Sequence, residues 1–187
     1  NTVQLQFPLS YIHTFPNKIW TISGGVMPAF VFNSLDYTVL RFPDQFDGIQ
    51  YNPDAPVSEE FDKTNSVFFN VGAGGQITAK PNKRQTYTVG IAGYNLTQPN
   101  ISFFDDKSVR LYPRTLMHAM AIVEIKPDVD MVPAAKMQFQ GKQKEFHVGA
   151  MFIKYFDNLS IQDISGGAWF RSRDKDAIIL GIGCNYM

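Results

Sequence analysis

The sequence predicts an all-β fold, specifically an antiparallel transmembrane β-barrel of the outer-membrane type. Three observations lead to this prediction: apolar and polar residues alternate along many segments, these segments are long, and short connections alternate with long ones. Alternation with a period of two is the pattern of strands that have one apolar face and one polar face. The composition agrees, because 14% of the residues are aromatic and only 18% are charged, a bias that favours a membrane barrel.

The alternation runs through about nine segments, of which the four between 114 and 172 are less regular than the others. In one regular segment an apolar row opposes Ser66, Asn70, Gln76 and Thr78, and this row consists of Val67, Phe69, Val71, Ala73 and Ile77. The predicted strands cover residues 3–11, 20–33, 66–78, 86–91, 114–126, 131–140, 145–155, 164–172 and 178–185. No convincing amphipathic helix interrupts them, so the pattern predicts strands throughout.

Segment length separates a membrane barrel from a soluble sheet. The predicted strands are about 10 to 15 residues long, whereas strands of soluble sheets usually have about 5 or 6 residues. A strand that crosses a bilayer at a tilt needs about 9 to 11 residues. The connections 15–17, 81–83 and 127–130 are short, and 36–65 and 97–110 are long, as expected for short periplasmic turns and long outer loops.

An odd number of strands does not close a bacterial single-chain barrel, because such barrels usually have an even number. We therefore predict one barrel domain over residues 1–187, in which either one segment is misread or strands are lacking at one or both ends. No apolar run approaches the roughly 18 residues of a transmembrane helix.

The sequence predicts neither an enzyme nor a cofactor or metal site. The glycine-rich stretch 71–75 lacks the remaining residues of a phosphate-binding loop or a dinucleotide fingerprint, so we interpret its glycines as strand positions that a neighbouring chain segment approaches closely. His13, His118 and His147 lack the spacing of paired metal ligands. The acidic stretch 44–48 lacks the ligand pattern of an EF-hand and is interpreted as a solvated turn.

Charge, cysteine content and motifs argue against further classes of function. Lys and Arg together number 17 and so do Asp and Glu, and a chain without net charge has no long-range field that would attract nucleic acid. The single cysteine, Cys184, cannot form a disulfide within the chain. No Gly-x-Ser-x-Gly motif suggests a serine hydrolase.

Two groups of residues, most of them aromatic, are candidates for a site. Trp20, Trp169, Phe170 and Arg171 are predicted to lie at the membrane interface, where aromatic rings lie at headgroup depth and cations reach water. The second group lies in the two long loops, where aromatic side chains would contact a partner or pack the loops onto the barrel mouth. Its members are Phe42, Phe46, Tyr51, Phe103 and Phe104.

Several motifs, in order along the chain, resemble the PorP/SprF family. Residues 66–75 (SVFFNVGAGG) followed by 87–100 (YTVGIAGYNLTQPN) resemble its central hairpin. Upstream, WTISGG at 20–25, SLD at 34–36 and DQFD at 44–47 are similar to the preceding hairpin and loop. Downstream, GAWFR at 167–171 with DAI at 176–178 resembles a later hairpin. The resemblance covers nearly the whole chain, but the family's first segment and final hairpin are missing.

The resemblance implies an outer-membrane protein of Bacteroidota-type bacteria that takes part in type IX secretion and gliding. It implies no catalytic residues. The expected partners are outer-membrane lipid, other secretion or gliding components, and the C-terminal domains of secreted adhesins. Two other interpretations of the sequence stay open: a barrel that transports small solutes, and a soluble β-sandwich or lipocalin-like binding protein.

Overall fold

In the computed structural model, the strands form a single antiparallel sheet. The structure describes residues 1–35, 40–52, 55, 64–103, 106–157, 160–172 and 177–186. The strands are β1 (Thr2–Gln6), β2 (Leu9–Thr14), β3 (Trp20–Ser34), β4 (Asn65–Asn82), β5 (Gln85–Tyr94), β6 (Arg114–Lys126), β7 (Val129–Gln140), β8 (Gln143–Tyr155), β9 (Ile161–Ser172) and β10 (Ala177–Tyr186). A short 3-10 helix, Pro43–Gln45, follows β3. Within the described ranges, no helix is long and apolar enough to cross a membrane.

Strands β3 to β10 pair in chain order, and both β1 and β2 pair with β3. β1 lies against residues 29–33 and β2 against residues 21–26, so together they form one strand that is interrupted at Phe7 and Pro8. Pro8 has no N–H to donate to a ladder, while the N–H of Phe7 donates to the carbonyl oxygen of Pro28 at 3.0 Å. With β1 and β2 taken together, the described residues form nine strand positions in the sheet, which confirms the sequence-based count.

The structure differs from the predicted bounds mainly at the turns. β4 continues to Asn82 and β5 begins at Gln85, so only Lys83 and Arg84 connect them. The alternation is weak there because lysine, proline and asparagine interrupt the apolar face. Hydrogen bonding nevertheless extends the hairpin to the pair Asn82 and Gln85.

Each strand presents one apolar face and one polar face, and the register aligns them across the sheet. On β3 and β4, for example, Phe30 lies opposite Phe69 and Ile22 opposite Ile77. The apolar face includes Leu5, Phe30, Phe69, Val89, Met137, Phe152, Phe170 and Leu180, and the polar face includes Gln4, Asn70, Gln76, Thr88, His118, Lys136, His147 and Asp163.

No protein layer covers the apolar face of the described sheet. Ile182 on β10 is 92% exposed, and among the described residues only Ala29 and Val31 are buried apolar residues. A contiguous apolar surface of this kind is unfavourable in water and is the surface that a membrane barrel presents to lipid. The described strands form one sheet, so the two-sheet β-sandwich interpretation is wrong.

The polar face is concave. Gln4 and Gln6 of β1 share a cavity with Gln140 of β7, although β3 to β6 lie between these strands in the sheet. The register is also staggered: successive cross-strand pairs lead from Phe170 near the end of β9 to Ile22 near the start of β3. Curling and stagger are the geometry of a barrel. Within the described residues the edge strands do not pair with each other, so the sheet is barrel-like but open.

Connections of similar length cluster at the same end of the sheet. The turns 15–19, 83–84 and 127–128 lie at what we call the short-turn end. The connections 35–64 and 95–113 lie at the opposite end, the long-loop end. This confirms the predicted alternation of short and long connections as far as β7, after which a two-residue turn joins β7 to β8 at the long-loop end.

Candidate partner-binding site at the long-loop end

The described part of the first long loop, residues 40–52, folds around the buried side chain of Gln45. The Oε1 atom of Gln45 accepts hydrogen bonds from the N–H of Phe42 at 3.1 Å and from the hydroxyl of Tyr51 at 3.2 Å. Phe46 and Tyr51 pair as an antiparallel bridge. Local hydrogen bonds therefore give this loop a defined conformation.

The tip of this loop is a tight turn at Asp47 and Gly48. The Oδ1 atom of Asp47 accepts hydrogen bonds from the backbone N–H groups of Gln50 and Ile49, both at 2.8 Å. These bonds, that of Gln50 first, lower the pKa of Asp47 below its ordinary value of 3.8. Gly48 has a φ of +95°, which other residues rarely adopt. The interpretation of 44–48 as a turn is confirmed, and it leaves Ile49 90% exposed at the tip.

The second long loop, residues 95–113, is anchored on β4 by uncharged side chains. The buried Asn70 of β4 donates from Nδ2 to Oδ1 of Asn95 at 2.7 Å, and its own Oδ1 accepts from the hydroxyl of Thr97 at 3.3 Å. Asn95 also donates to the carbonyl oxygen of Tyr112 at 3.3 Å. Its φ of +57° lies in the left-handed region, which asparagine tolerates better than most residues.

The predicted loop aromatics are distributed over both loops. Phe46 is 56% exposed and Tyr51 lies beside it, whereas Phe42 is half-buried in the same loop. Phe103 is half-buried in the second loop, and Phe104 lies outside the described residues. Contact with a partner stays a prediction for all five.

The four residues predicted at the membrane interface lie on different faces. Trp20 and Phe170 are on the apolar face, whereas Trp169 and Arg171 are on the polar face. Neighbouring residues of a strand must point to opposite sides, so Trp169 and Phe170 cannot share a face. The depth of these residues in a bilayer stays a prediction.

The indole ring of Trp169 lies over glycines of three adjacent strands, Gly149, Gly167 and Gly181. A Cβ atom at Gly167 would lie 2.8 Å from Cη2 of Trp169 and 2.7 Å from the carbonyl oxygen of Ala150. In the other glycine-rich segment, a Cβ at Gly74 would lie 2.9 Å from the carbonyl oxygen of Ile91. The interpretation of strand glycines as sites of close approach is therefore confirmed at Gly74.

Sequence analysis missed a cluster of charges at the short-turn end. Arg84 donates to Oε1 of Glu124 at 2.7 Å and to Oδ1 of Asp130 at 2.5 Å, and the hydroxyl of Tyr155 donates to Oδ2 of Asp130 at 3.1 Å. Asp130 is only 3% exposed. No local signal could reveal this cluster, because Arg84 is separated from its partners by 40 and 46 residues along the chain.

A second arginine that sequence analysis missed, Arg114, lies at the long-loop end of the polar face. Its guanidinium donates to Oε1 of Gln138 at 3.0 Å and lies 5.5 Å from the centre of the Tyr94 ring. Its Nε atom is buried and has no hydrogen-bond partner among the described residues, and none of their carboxylates forms an ion pair with it. A cavity of about 180 Å³ lies against this side chain.

A comparison with protein-family models gives the affiliation of this chain. The model described as "Type IX secretion system membrane protein PorP/SprF" matches residues 1–187. The chain belongs to the PorP/SprF family. Searches of the curated proteins and of the solved structures each found no match.

Membership of PorP/SprF decides between the open interpretations of the fold. A type IX secretion membrane protein with an all-β fold is a bacterial outer-membrane protein, so the soluble alternatives are wrong. PorP/SprF proteins are membrane components of a secretion system and not a known enzyme family. They act with other components of that system.

Proposed function

We propose that this protein binds protein partners at its long-loop end, on the cell surface. The partners would be C-terminal domains of secreted adhesins or other components of the secretion and gliding machinery. The observation that supports this proposal is that both long loops emerge at one end of the sheet, and that their described parts are held by hydrogen bonds. Loops that are ordered before binding lose less conformational entropy when a partner docks.

The exposed side chains of residues 40–52 suit protein recognition. Phe46 and Ile49 are large, apolar and exposed, and the guanidinium of Arg41 lies 5.2 Å from the centre of the Tyr51 ring. Aromatic and arginine side chains are enriched among residues that dominate binding energy. The apolar face, with Trp20 and Phe170 as interface residues, would hold these loops at a fixed height above the bilayer.

A pair of matched double variants tests the proposal. Phe46→Ser with Ile49→Ser removes apolar surface from the long-loop end, and Phe156→Ser with Ile19→Ser changes the same two residue types, which are less exposed, at the short-turn end. We expect the first pair to weaken retention of the secreted partner by about thirtyfold or more, as for two residues that each contribute more than about 1 kcal/mol to binding. Retention is measured by whole-cell immunoblotting, with both variants normalised to their amount in the outer membrane.

Equal retention by the first pair and the natural chain would contradict the proposal. Loss of retention in the second pair alone would place the partner at the short-turn end. The solute-transport alternative makes a separate prediction: the purified protein in planar bilayers should then show steady single-channel conductance.

A further inference from the structure

We propose that the cavity beside Arg114 binds a carboxylate of the partner polypeptide, either an acidic side chain or a C-terminal carboxylate. This inference rests on the proposed function and adds the chemistry that the partner must carry. The cavity has a volume of about 180 Å³, and the polar residues that line it are Gln4, Gln6, Asn70, Asn95, Arg114 and Gln140.

The charge of Arg114 is the first reason. Its guanidinium is held by Gln138 and lies close to the ring of Tyr94, yet its buried Nε has no acceptor among the described residues. A partly buried cation without a counter-ion is unfavourable, and the planar guanidinium matches the two oxygens of a carboxylate. A carboxylate bound in the cavity would supply the missing negative charge beside the guanidinium.

The lining of the cavity is the second reason. Gln4 and Gln6 make no side-chain hydrogen bond to the described residues, so their amide N–H groups are available to a ligand. Gln140 uses one amide donor on the carbonyl oxygen of Tyr112. Asn70 and Asn95 bind each other and shape the wall. Among the described residues no carboxylate lines the cavity, so its available polar groups suit an acceptor-rich ligand.

Size and access are compatible with a protein side chain. At roughly 30 Å³ per water molecule, about 180 Å³ holds about six waters or an acidic side chain with a few waters. Tyr94 ends β5, Arg114 begins β6 and Gln140 ends β7, so the cavity lies where these strands meet the long-loop end. A segment bound by the loops could extend a side chain into it.

The neighbouring surface adds positive charge. Lys136, His147 and Arg171 lie in direct register on β7, β8 and β9 of the polar face. Glu145 lies among them, pairs with His147 and is also attracted by the charges of Lys136 and Arg171. Basic side chains on a concave surface raise the local concentration of anionic groups.

The binding experiment uses the full-length protein in detergent and two fluorescein-labelled peptides, hexaglutamate and hexaglutamine. Fluorescence anisotropy should show binding of hexaglutamate and at least tenfold weaker binding of hexaglutamine. Arg114→Gln should raise the Kd for hexaglutamate about tenfold or more, as expected when one partner of a desolvated charge pair is removed. Lys18→Gln, which removes one exposed charge at the short-turn end, should change Kd less than about twofold.

Two additions separate the possible causes. Arg114→Lys keeps the charge but not the planar group, so its Kd should lie between those of the natural chain and Arg114→Gln. Arg114→Lys also tests the proposed site if Arg114→Gln fails to fold. Acetate should displace hexaglutamate only at a much higher carboxylate concentration, whereas displacement at equal concentration would show a site for free anions and would overturn the proposal.

Three further results would overturn the proposed carboxylate site. They are no binding of hexaglutamate, equal binding of hexaglutamine, and an unchanged Kd in both Arg114 variants. None of these results depends on partner retention in cells. If Phe46→Ser with Ile49→Ser abolishes retention while Arg114→Gln alters neither retention nor peptide binding, the loop proposal stands and the carboxylate site is wrong.

Discussion

At the short-turn end of the polar face, Arg84 contacts the carboxylates of Glu124 and Asp130. At the long-loop end, Arg114 contacts an amide oxygen and lies near an aromatic ring. The first arginine is neutralised by its own fold and links the ends of several strands. The second keeps its charge available. This difference indicates that one end of the polar face stabilises the sheet and the other is suited to bind a partner.

Removing one charge at each end tests whether the two arginines have different structural roles. Asp130→Ala leaves Arg84 with one carboxylate partner and should lower the free energy of unfolding by about 3 kcal/mol, the cost of breaking a buried ion pair. Arg114→Ala should lower it by less than about 1 kcal/mol, because no ion pair is lost. Urea unfolding in lipid vesicles, followed by tryptophan fluorescence, measures both. Equal losses would show that the two arginines have the same structural role.

Packing beneath Trp169 is a source of stability that does not depend on charge. Gly167→Ala places a methyl group against this ring and the backbone of β8, and should cost about 1 to 3 kcal/mol through overpacking. Its neighbour Gly166 has open space at its Cβ position on the other face, so Gly166→Ala should be neutral within about 0.5 kcal/mol. In a Trp20→Phe background, the fluorescence of Trp169 should shift only in the first variant. A shift in both would contradict the observed packing.

The amide network at the long-loop end should stabilise its loop locally. Asn70→Ala removes the side chain that holds Asn95 and Thr97, and should lower the local stability of the second long loop by about 1.4 kcal/mol. A loss of this size raises the population of the opened loop about tenfold. Trypsin should then cleave after Lys107 and Arg110 about tenfold faster. Asn65→Ala, at the exposed start of the same strand, should leave the rate unchanged. Equal rates in the two variants would show that Asn70 does not hold the loop.

The smallest expected effect is the pH dependence of the turn at Asp47. Hydrogen bonds from Gln50 and Ile49 favour the ionised carboxylate and lower its pKa below 3.8. The turn is therefore fully stabilised above pH 3.8 and loses this stabilisation as the pH falls through the lowered pKa. A spin label at Ile49→Cys, in a Cys184→Ser background, should become more mobile only in that acidic range. Adding Asp47→Asn should abolish this change, and its persistence would exclude Asp47 as the cause.

Sequence alternation predicted the strands because lipid imposes a strict period of two on them. The row of Val67, Phe69 and Ile77 lies on the apolar face, as predicted. The same rule already separates Trp169 from Phe170, which our sequence analysis grouped at one interface. The faces of these two residues could therefore have been predicted from the sequence by applying the alternation to each neighbouring pair.

The arginine sites could not be predicted in this way. Whether Arg84 is paired or Arg114 is unpaired depends on the register between strands that are distant in sequence, and local composition does not encode that register. The loop turn at Asp47 and Gly48 was predictable, because aspartate and glycine favour such turns. The packing of that turn onto the buried Gln45 depends on hydrogen bonds that the composition does not reveal.

The interruption of the first strand at Phe7 and Pro8 has a consequence for self-association. An uninterrupted edge strand would offer a neighbouring molecule a long row of free backbone donors and acceptors, which promotes aggregation. Here the edge is divided into stretches of five and six residues, and proline removes a donor between them. A strand that pairs with this side of the sheet would therefore find two short stretches of backbone donors and acceptors in place of one long row.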